Sequence, residues 1–345
     1  MTTSSSSLRL RDRLGRPLDD LRISVIDRCN FRCSFCMPAD REYTFLPRSE
    51  LLSFEEITEL ARVFVDLGVS KIRLTGGEPL LRREIEILVA MLSAIPGVSD
   101  LALTTNGVLL GEKAAALKEA GLNRVTISLP SLDSEVFQTI TGLDHRVEDV
   151  LAGMAAAAAV GLGPIKVNAV VIKDVNEEGI VELARFLKEK GHIVRFIEYM
   201  DVGTVNGWEA GAVVSAREIL RRISAELPLR EENRRKTSDV AMRFRYVDDG
   251  LELGAIASVT EPFCGDCSRA RISADGKLYT CLFAAEGHDL KSHLRGDMGT
   301  AGVEAAIRQI WTQRTDRYSE QRSELPPDSA SAVAARKVEM FRIGG

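Results

Sequence analysis

The sequence predicts an α/β fold, an incomplete (β/α)6 TIM-like barrel with a C-terminal α+β covering domain, and three observations point to it. Between Leu21 and Met200 short β-branched runs alternate with longer amphipathic segments, the mark of successive βα units and a parallel sheet. Six such units fall short of the eight that close a full barrel, so one side is left open and needs covering. Past that region the pattern changes to strands paired about Asp-Gly turns, which reads as hairpins.

The elements follow in chain order. Residues 1–10 are expected to form a disordered tail, frayed from Met1 to Ser7, without the apolar core of an export signal. The barrel is expected over 11–210, its strands at Leu21 to Ile26, Lys71 to Thr75, Leu101 to Thr105, Arg124 to Leu129, Ile165 to Ile172 and Ile193 to Met200. After the first strand comes a long loop, 27–52, at the strand end where α/β folds place their chemistry. A helix opens at Ser53, with Glu56 three residues on for a capping box. The Ala155 to Ala159 run reads as helix rather than low complexity. The covering domain is expected over 211–320, with hairpins from Ala241 to Val259 about Asp249-Gly250 and from Arg271 to Leu282 about Asp275-Gly276. The second hairpin would carry Cys281 on its returning strand. Residues 321–345 form a tail whose polar stretch, Arg322 to Arg336 with Pro326-Pro327, is expected to be a mobile arm.

Composition narrows the function classes. Lys and Arg total 45 against 50 Asp and Glu, a formal charge of −5, so no global positive field draws the chain to nucleic acid or an anionic membrane. Any polyanion must meet a local basic cluster. The longest uncharged stretch, Leu151 to Ile165, has 15 residues, short of the roughly 20 of a spanning helix. A cytoplasmic, reducing compartment is expected, where clustered thiols are metal ligands rather than disulfides.

The six cysteines fall into two trios, Cys29, Cys33 and Cys36, then Cys264, Cys267 and Cys281. Three thiolates in one tight loop leave a fully ligated cluster or a structural zinc short of its fourth ligand. On a 4Fe-4S cube that shortfall is one open iron, able to bind a small molecule. A zinc site completed from elsewhere is the alternative, with His145 nearest the first trio and His288 and His293 near the second. Against zinc at the second trio stands the run Cys267-Ser-Arg269-Ala-Arg271, whose arginines share one face of a strand and suit a phosphate.

The spacing C-x3-C-x2-C, with aromatic Phe35 just before the third cysteine, resembles the radical S-adenosylmethionine superfamily. From about Arg11 to Gly345 the chain further resembles the GTP 3′,8-cyclase family of molybdenum cofactor biosynthesis. The stretches that carry this are Asp12 to Pro38, Lys71 to Arg83, Leu103 to Gly107, Arg195 to Gly203, Phe263 to Phe283 and the terminal Gly344-Gly345. The resemblance implies a radical S-adenosylmethionine type of barrel, two 4Fe-4S clusters and S-adenosylmethionine as cofactors, and GTP as substrate. Cys29, Cys33 and Cys36 would hold the first cluster, and Phe35, Gly77, Ser128 and Met200 would line the S-adenosylmethionine site. Arg22, Arg73, Thr104, Lys166, Arg269, Ala270 and Arg271 would contact GTP, with Arg22, Arg269 and Arg271 carrying catalysis, and Cys264, Cys267 and Cys281 would hold the second cluster. The glycines of Gly76-Gly77-Glu78-Pro79 would let backbone approach the cofactor closely. The chemistry implied is hydrogen abstraction from ribose C3′ and attack of the carbon radical on guanine C8. An external electron donor and a downstream cyclic pyranopterin monophosphate synthase are the implied partners, and a homodimer is left open. The Gly-Gly end is implied to reach into the active site.

Two positions depart from the family pattern. Ser128-Leu129-Pro130 stands where Ser-Leu-Asp is usual, removing a carboxylate near the cofactor although Asp133 is close by, and Ile26 replaces a threonine. Two rival readings remain: a peptide-maturing radical enzyme with an auxiliary cluster, and a zinc-binding adaptor without catalysis.

Overall fold

The computed structural model describes residues 9–233, 240–322, 324 and 337–344. All six expected strands are present as β1 (Asp20–Ser24), β2 (Lys71–Thr75), β3 (Asp100–Thr105), β4 (Arg124–Ser128), β5 (Lys166–Val171) and β6 (Ile193–Glu198). They pair in parallel in chain order. Between them run α1 (Phe54–Asp66), α2 (Ile85–Ser93), α3 (Leu110–Glu119), α4 (Ser134–Thr141), α5 (Val147–Ala159) and α6 (Ile180–Glu189). The capping box of α1 forms as the sequence predicts, with Ser53 Oγ accepting from the Glu56 amide and Glu56 accepting from the Ser53 amide. Substituting Ser53 by Ala costs about 1 kcal/mol of helix stability.

The incomplete barrel is borne out, and the C-terminal part does more than cover it. After α7 (Ala216–Glu226) come β7 (Leu229–Glu232), β8 (Met242–Tyr246) and β9 (Glu252–Ile256), and β9 pairs in parallel with β6. On the other flank β10 (Arg269–Ile272) pairs in parallel with β1, followed by β11 (Lys277–Tyr279) and β12 (His288–Asp289). One twelve-stranded sheet results, in the order β12-β11-β10-β1-β2-β3-β4-β5-β6-β9-β8-β7. The added strands satisfy the backbone groups that β1 and β6 would otherwise expose as edges. Both expected hairpins form, but β11 ends at Tyr279. Cys281 therefore lies two residues past the returning strand, where the chain bends toward Cys264 and Cys267 instead of continuing the ladder.

Alternation along the strands decides what the barrel holds. Leu21, Ile23, Ile72, Leu74, Leu101 and Leu103 share one buried cluster with Leu60 and Phe64 of α1 and Leu88 of α2. Their alternates Arg22, Arg73 and Thr104, together with Arg271 of β10, line the interior cavity. Barrel interiors are normally layers of branched apolar side chains. This one is charged.

The flanks are closed by α8 (Leu290–Arg295), α9 (Gly299–Gln313) and α10 (Tyr318–Gln321), and the chain returns as α11 (Met340–Ile343). At the N-terminal end the described chain starts inside the expected tail, at Arg9, whereas the C-terminal residues 337–344 lie beyond the expected arm. Arg9 pairs with Asp19 at 3.1 Å, and Lys337 to Gly344 pack on the barrel. Met1 to Ser7, expected to fray, and all of the expected Arg322 to Arg336 arm except Arg322 and Glu324 lie outside the described residues. Among the described residues no helix is long and apolar enough to cross a membrane.

Candidate functional site

The loop after β1 folds tightly because the amides of Cys36 and Met37 both donate to the Cys33 carbonyl, at 2.9 and 2.8 Å. Cys29, Cys33 and Cys36 then line one cavity together with Phe35, Gly77, Ser128 and Met200, the residues the resemblance assigns to the cofactor. The glycines are needed for a different reason than expected. A Cβ on Gly76 would stand 2.4 Å from the Ile26 carbonyl oxygen, and one on Gly77 would stand 2.2 Å from that of Arg28. It is the 26–28 backbone, held by the Gly77 and Glu78 amides, that excludes a side chain there.

Glu78, in the same turn, was not singled out from sequence. Its buried carboxylate accepts from the Thr105 hydroxyl at 2.7 Å, the Asn106 amide at 2.8 Å and the Leu80 amide at 3.0 Å, and burial pushes it up to about 7. Glu198, also in this wall, is tied to the amides of Ala216, Val259 and Thr260. Burial also raises all three thiols, Cys29 to about 12. Thiolates at this trio would therefore need positive charge from a group bound there, since none comes from the cavity lining among the described residues.

A second cavity is lined by Cys264, Cys267 and Cys281 and by Arg22, Arg73, Arg195, Arg269 and Arg271. Arg73 donates to the hydroxyls of Thr104 at 3.0 Å and Thr126 at 2.9 Å, which aims its guanidinium across the barrel. Burial, then the neighbouring Arg269, lowers Arg22 to about 9, and burial lowers Arg73 to about 10. Arg271 is pushed down further by burial and by Arg22 and Arg269. Cys267 goes the other way: against burial, Arg269 and Arg314 draw it down to about 6. Arg314 also donates to the Cys267 carbonyl, and Arg16 to that of Cys264, both at 2.7 Å, while Asp12 pairs with both guanidiniums.

Thr104, Asn168, Ile197, Met200 and Leu282 line both cavities, so the two trios face adjoining spaces with a common wall. Among the described residues no three His, Cys, Asp or Glu side chains converge on a point that a single metal ion could occupy. Each trio is instead spread around a wall.

Three positions expected from the sequence need adjustment. Lys166 starts β5, one inward step below Asn168, and does not line either cavity; burial and Arg195 lower it to about 7. Ala270 is fully buried in the apolar core, since it alternates with Arg269 and Arg271. Asp133 does not stand in for the missing carboxylate, because it caps α4 by accepting from the Glu135 and Val136 amides. Pro130 lines the first cavity and offers its carbonyl to Asn176 at 2.9 Å. Arg195 was missed from sequence. It sits within a predicted strand, so the cost of placing a charge on a barrel strand, which singled out Arg22 and Arg73, points to it equally.

Comparison with known proteins agrees along the whole chain. A radical SAM superfamily model matches residues 23–187, and a molybdenum cofactor synthesis C model matches 192–320. A GTP 3′,8-cyclase of Acidothermus cellulolyticus is 52% identical over 97% of this chain and 99% of its own. The chain belongs to the GTP 3′,8-cyclase family. A relative of the same name from Xanthomonas campestris is 49% identical over 100% of both chains, and one from Aquifex aeolicus 49% over 97% and 100%. Membership in this radical S-adenosylmethionine family brings with it S-adenosylmethionine and an iron–sulfur cluster as cofactors. Three half-buried cysteines around one cavity are a donor set that fits such a cluster.

Proposed function

We infer that this enzyme converts GTP to 3′,8-cyclo-7,8-dihydro-GTP, the first step of molybdenum cofactor biosynthesis, with the cofactor at Cys29, Cys33 and Cys36 and GTP at the arginine-lined end. The observation that carries this is a pair of adjoining cavities, each with a thiol trio, of which only one is lined by guanidiniums among the described residues. When bound, the cluster and S-adenosylmethionine supply reductive cleavage of a sulfonium, and with it a hydrogen-abstracting radical. Everything else is positioning by this chain. Arg22, Arg73, Arg269 and Arg271 present forked donors to the triphosphate, whose charge offsets the repulsion they bear when empty. Thr104, Asn168 and Met200, in the wall common to both cavities, fix where the ribose meets the cofactor.

A second 4Fe-4S cluster at Cys264, Cys267 and Cys281 belongs to this proposal. Arg269 and Arg314 hold Cys267 in the thiolate form that a metal needs. So does the division into a barrel over 11–210 and a covering domain over 211–320. An external reductant, a cytoplasmic setting and hand-over of product to a cyclic pyranopterin monophosphate synthase complete it. Anaerobic incubation of the reconstituted protein with GTP, S-adenosylmethionine and a reductant tests the reading by mass analysis. Equimolar 5′-deoxyadenosine and an isomer of GTP with a new carbon–carbon bond are expected. A modified peptide in place of a cyclised nucleotide would favour a maturation enzyme, and zinc without iron would favour an adaptor.

A further inference from the structure

The C-terminal segment reaches the site at Gly344. Gly344 offers its carbonyl to Arg271, one of the buried guanidiniums of the second cavity, and Met340 lines the first. A Cβ on Gly344 would lie 1.9 Å from the Thr75 hydroxyl, so only glycine fits against β2. What fixes this segment is a buried cluster at its other end. Lys337, 4% exposed, donates from Nζ to the Asp201 carbonyl at 2.9 Å, to the Asp201 carboxylate at 2.7 Å and to the Tyr318 hydroxyl at 2.7 Å. The Tyr318 hydroxyl donates in turn to the same carboxylate at 2.5 Å, and the Lys337 ammonium stands 4.3 Å from the centre of the Tyr318 ring. Arg322 brings its guanidinium within 2.6 Å of the other carboxylate oxygen.

These groups come from three parts of the chain. Asp201 follows Met200, which walls both cavities; Tyr318 opens α10, beside the second trio; and Lys337 begins the returning segment. Beyond the cluster the segment is tied down in register, by the Val338 amide on the Ala284 carbonyl at 3.0 Å and by Glu339 accepting from the Thr204 amide and hydroxyl at 2.9 and 2.6 Å. A Cβ on Gly203 would push against the Glu339 carboxylate in its present position. Only six residues lie between Lys337 and Gly344, so a shift at the anchor is carried to the carbonyl on Arg271.

We propose that Asp201, Lys337 and Tyr318 form a positioning latch that sets the C-terminal segment so that its Gly344 carbonyl meets Arg271. A buried ion pair adds little to stability against an apolar replacement, and its best attested use is to fix one arrangement among several. The latch touches neither cofactor nor substrate; it acts through the tail. The part of the test that reads catalysis rests on the function proposed above, and the part that reads structure does not.

Hydrogen exchange of the full-length protein, with Lys337→Met and Tyr318→Phe, tests it. In Lys337→Met the amides of α11 and Gly344 exchange about tenfold faster or more, while β1 to β6 keep their protection. In the reconstituted enzyme cyclised nucleotide falls about a hundredfold while 5′-deoxyadenosine still forms, because a misplaced guanidinium spoils substrate geometry without touching the first trio. Tyr318→Phe removes one hydroxyl and opens no cavity, so it carries the test if Lys337→Met loosens the sheet as well. Tail protection unchanged in Tyr318→Phe and in a folded Lys337→Met overturns the latch. Wild-type protein that yields no cyclised nucleotide overturns the functional reading instead, and leaves the exchange result to decide the latch.

Discussion

The two ends of the paired cavities are both built from three half-buried cysteines, yet their electrostatics are opposite. Around Cys29, Cys33 and Cys36 the lining carries Glu78 and Glu198 and, among the described residues, no Lys or Arg, and the thiols are driven up by burial. Around Cys264, Cys267 and Cys281 the lining carries Arg16, Arg22, Arg73, Arg195, Arg269, Arg271 and Arg314 against Asp316, and Cys267 is drawn down to about 6. The first end suits a ligand that brings positive charge, as a sulfonium with an amine does. The second suits a polyanion. On the function proposed above, this division of charge would keep a cationic cofactor and an anionic substrate from exchanging places, in a chain whose formal charge is only −5.

The largest expected effect breaks the first end alone. Cys29→Ser removes a thiol that no neighbour replaces, so iron at this trio is lost and formation of 5′-deoxyadenosine falls to background. Iron analysis and mass detection check this, and undiminished 5′-deoxyadenosine would mean that the trio is not the cofactor's anchor. Next in size is a break in the scaffold of the second end. Asp12→Ala leaves Arg16 and Arg314 buried without their shared carboxylate, which destabilises by about 3–5 kcal/mol. The unfolding midpoint in urea reads it, and the loss should exceed that of Asp316→Ala, whose partner Arg314 keeps Asp12.

Glu78→Gln is expected to be milder. One amide hydrogen pair then faces donors from Thr105, Asn106 or Leu80, at a cost of about 1–3 kcal/mol in stability. S-adenosylmethionine affinity should fall with it, by equilibrium dialysis, while GTP affinity does not.

The smallest effect is a slope with pH. Lys166 is lowered by burial and Arg195 from 10.5 to about 7, so between those values the unfolded chain holds a proton that the folded one lacks. Stability of the ligand-free protein therefore rises with pH above about 7, and below that the full penalty of a buried ammonium is present. Arg22 and Arg73 add to the slope only higher up, near 9 and 10. Lys166→Met should flatten the rise between pH 7 and 9 in thermal unfolding.

Much of this was legible in the sequence because it was periodic or strictly spaced. The alternation from Leu21 to Met200 sets the strands, and a charge on an alternating strand position, such as Arg22 or Arg73, has to face a polar interior. The cysteine spacing marks both ends. What was not legible depends on contacts between distant segments. Nothing local to Gly77 shows that the Arg28 carbonyl fills its Cβ position, and nothing local to Asp133 shows that it is taken up as a helix cap. That β9 and β10 join the barrel sheet on opposite flanks is likewise a matter of pairing partners, which hairpin signals do not name.

Separate calorimetric titrations of GTP and of S-adenosylmethionine into Arg22→Ala, Arg269→Ala and Arg271→Ala, under anaerobic conditions, measure the division of labour directly. Loss of one charge-assisted contact, about 1.5–3 kcal/mol, weakens GTP roughly 10- to 100-fold in each variant and leaves S-adenosylmethionine affinity at the wild-type value. Equal weakening of both ligands, or unchanged GTP affinity in all three, would contradict a site divided by charge.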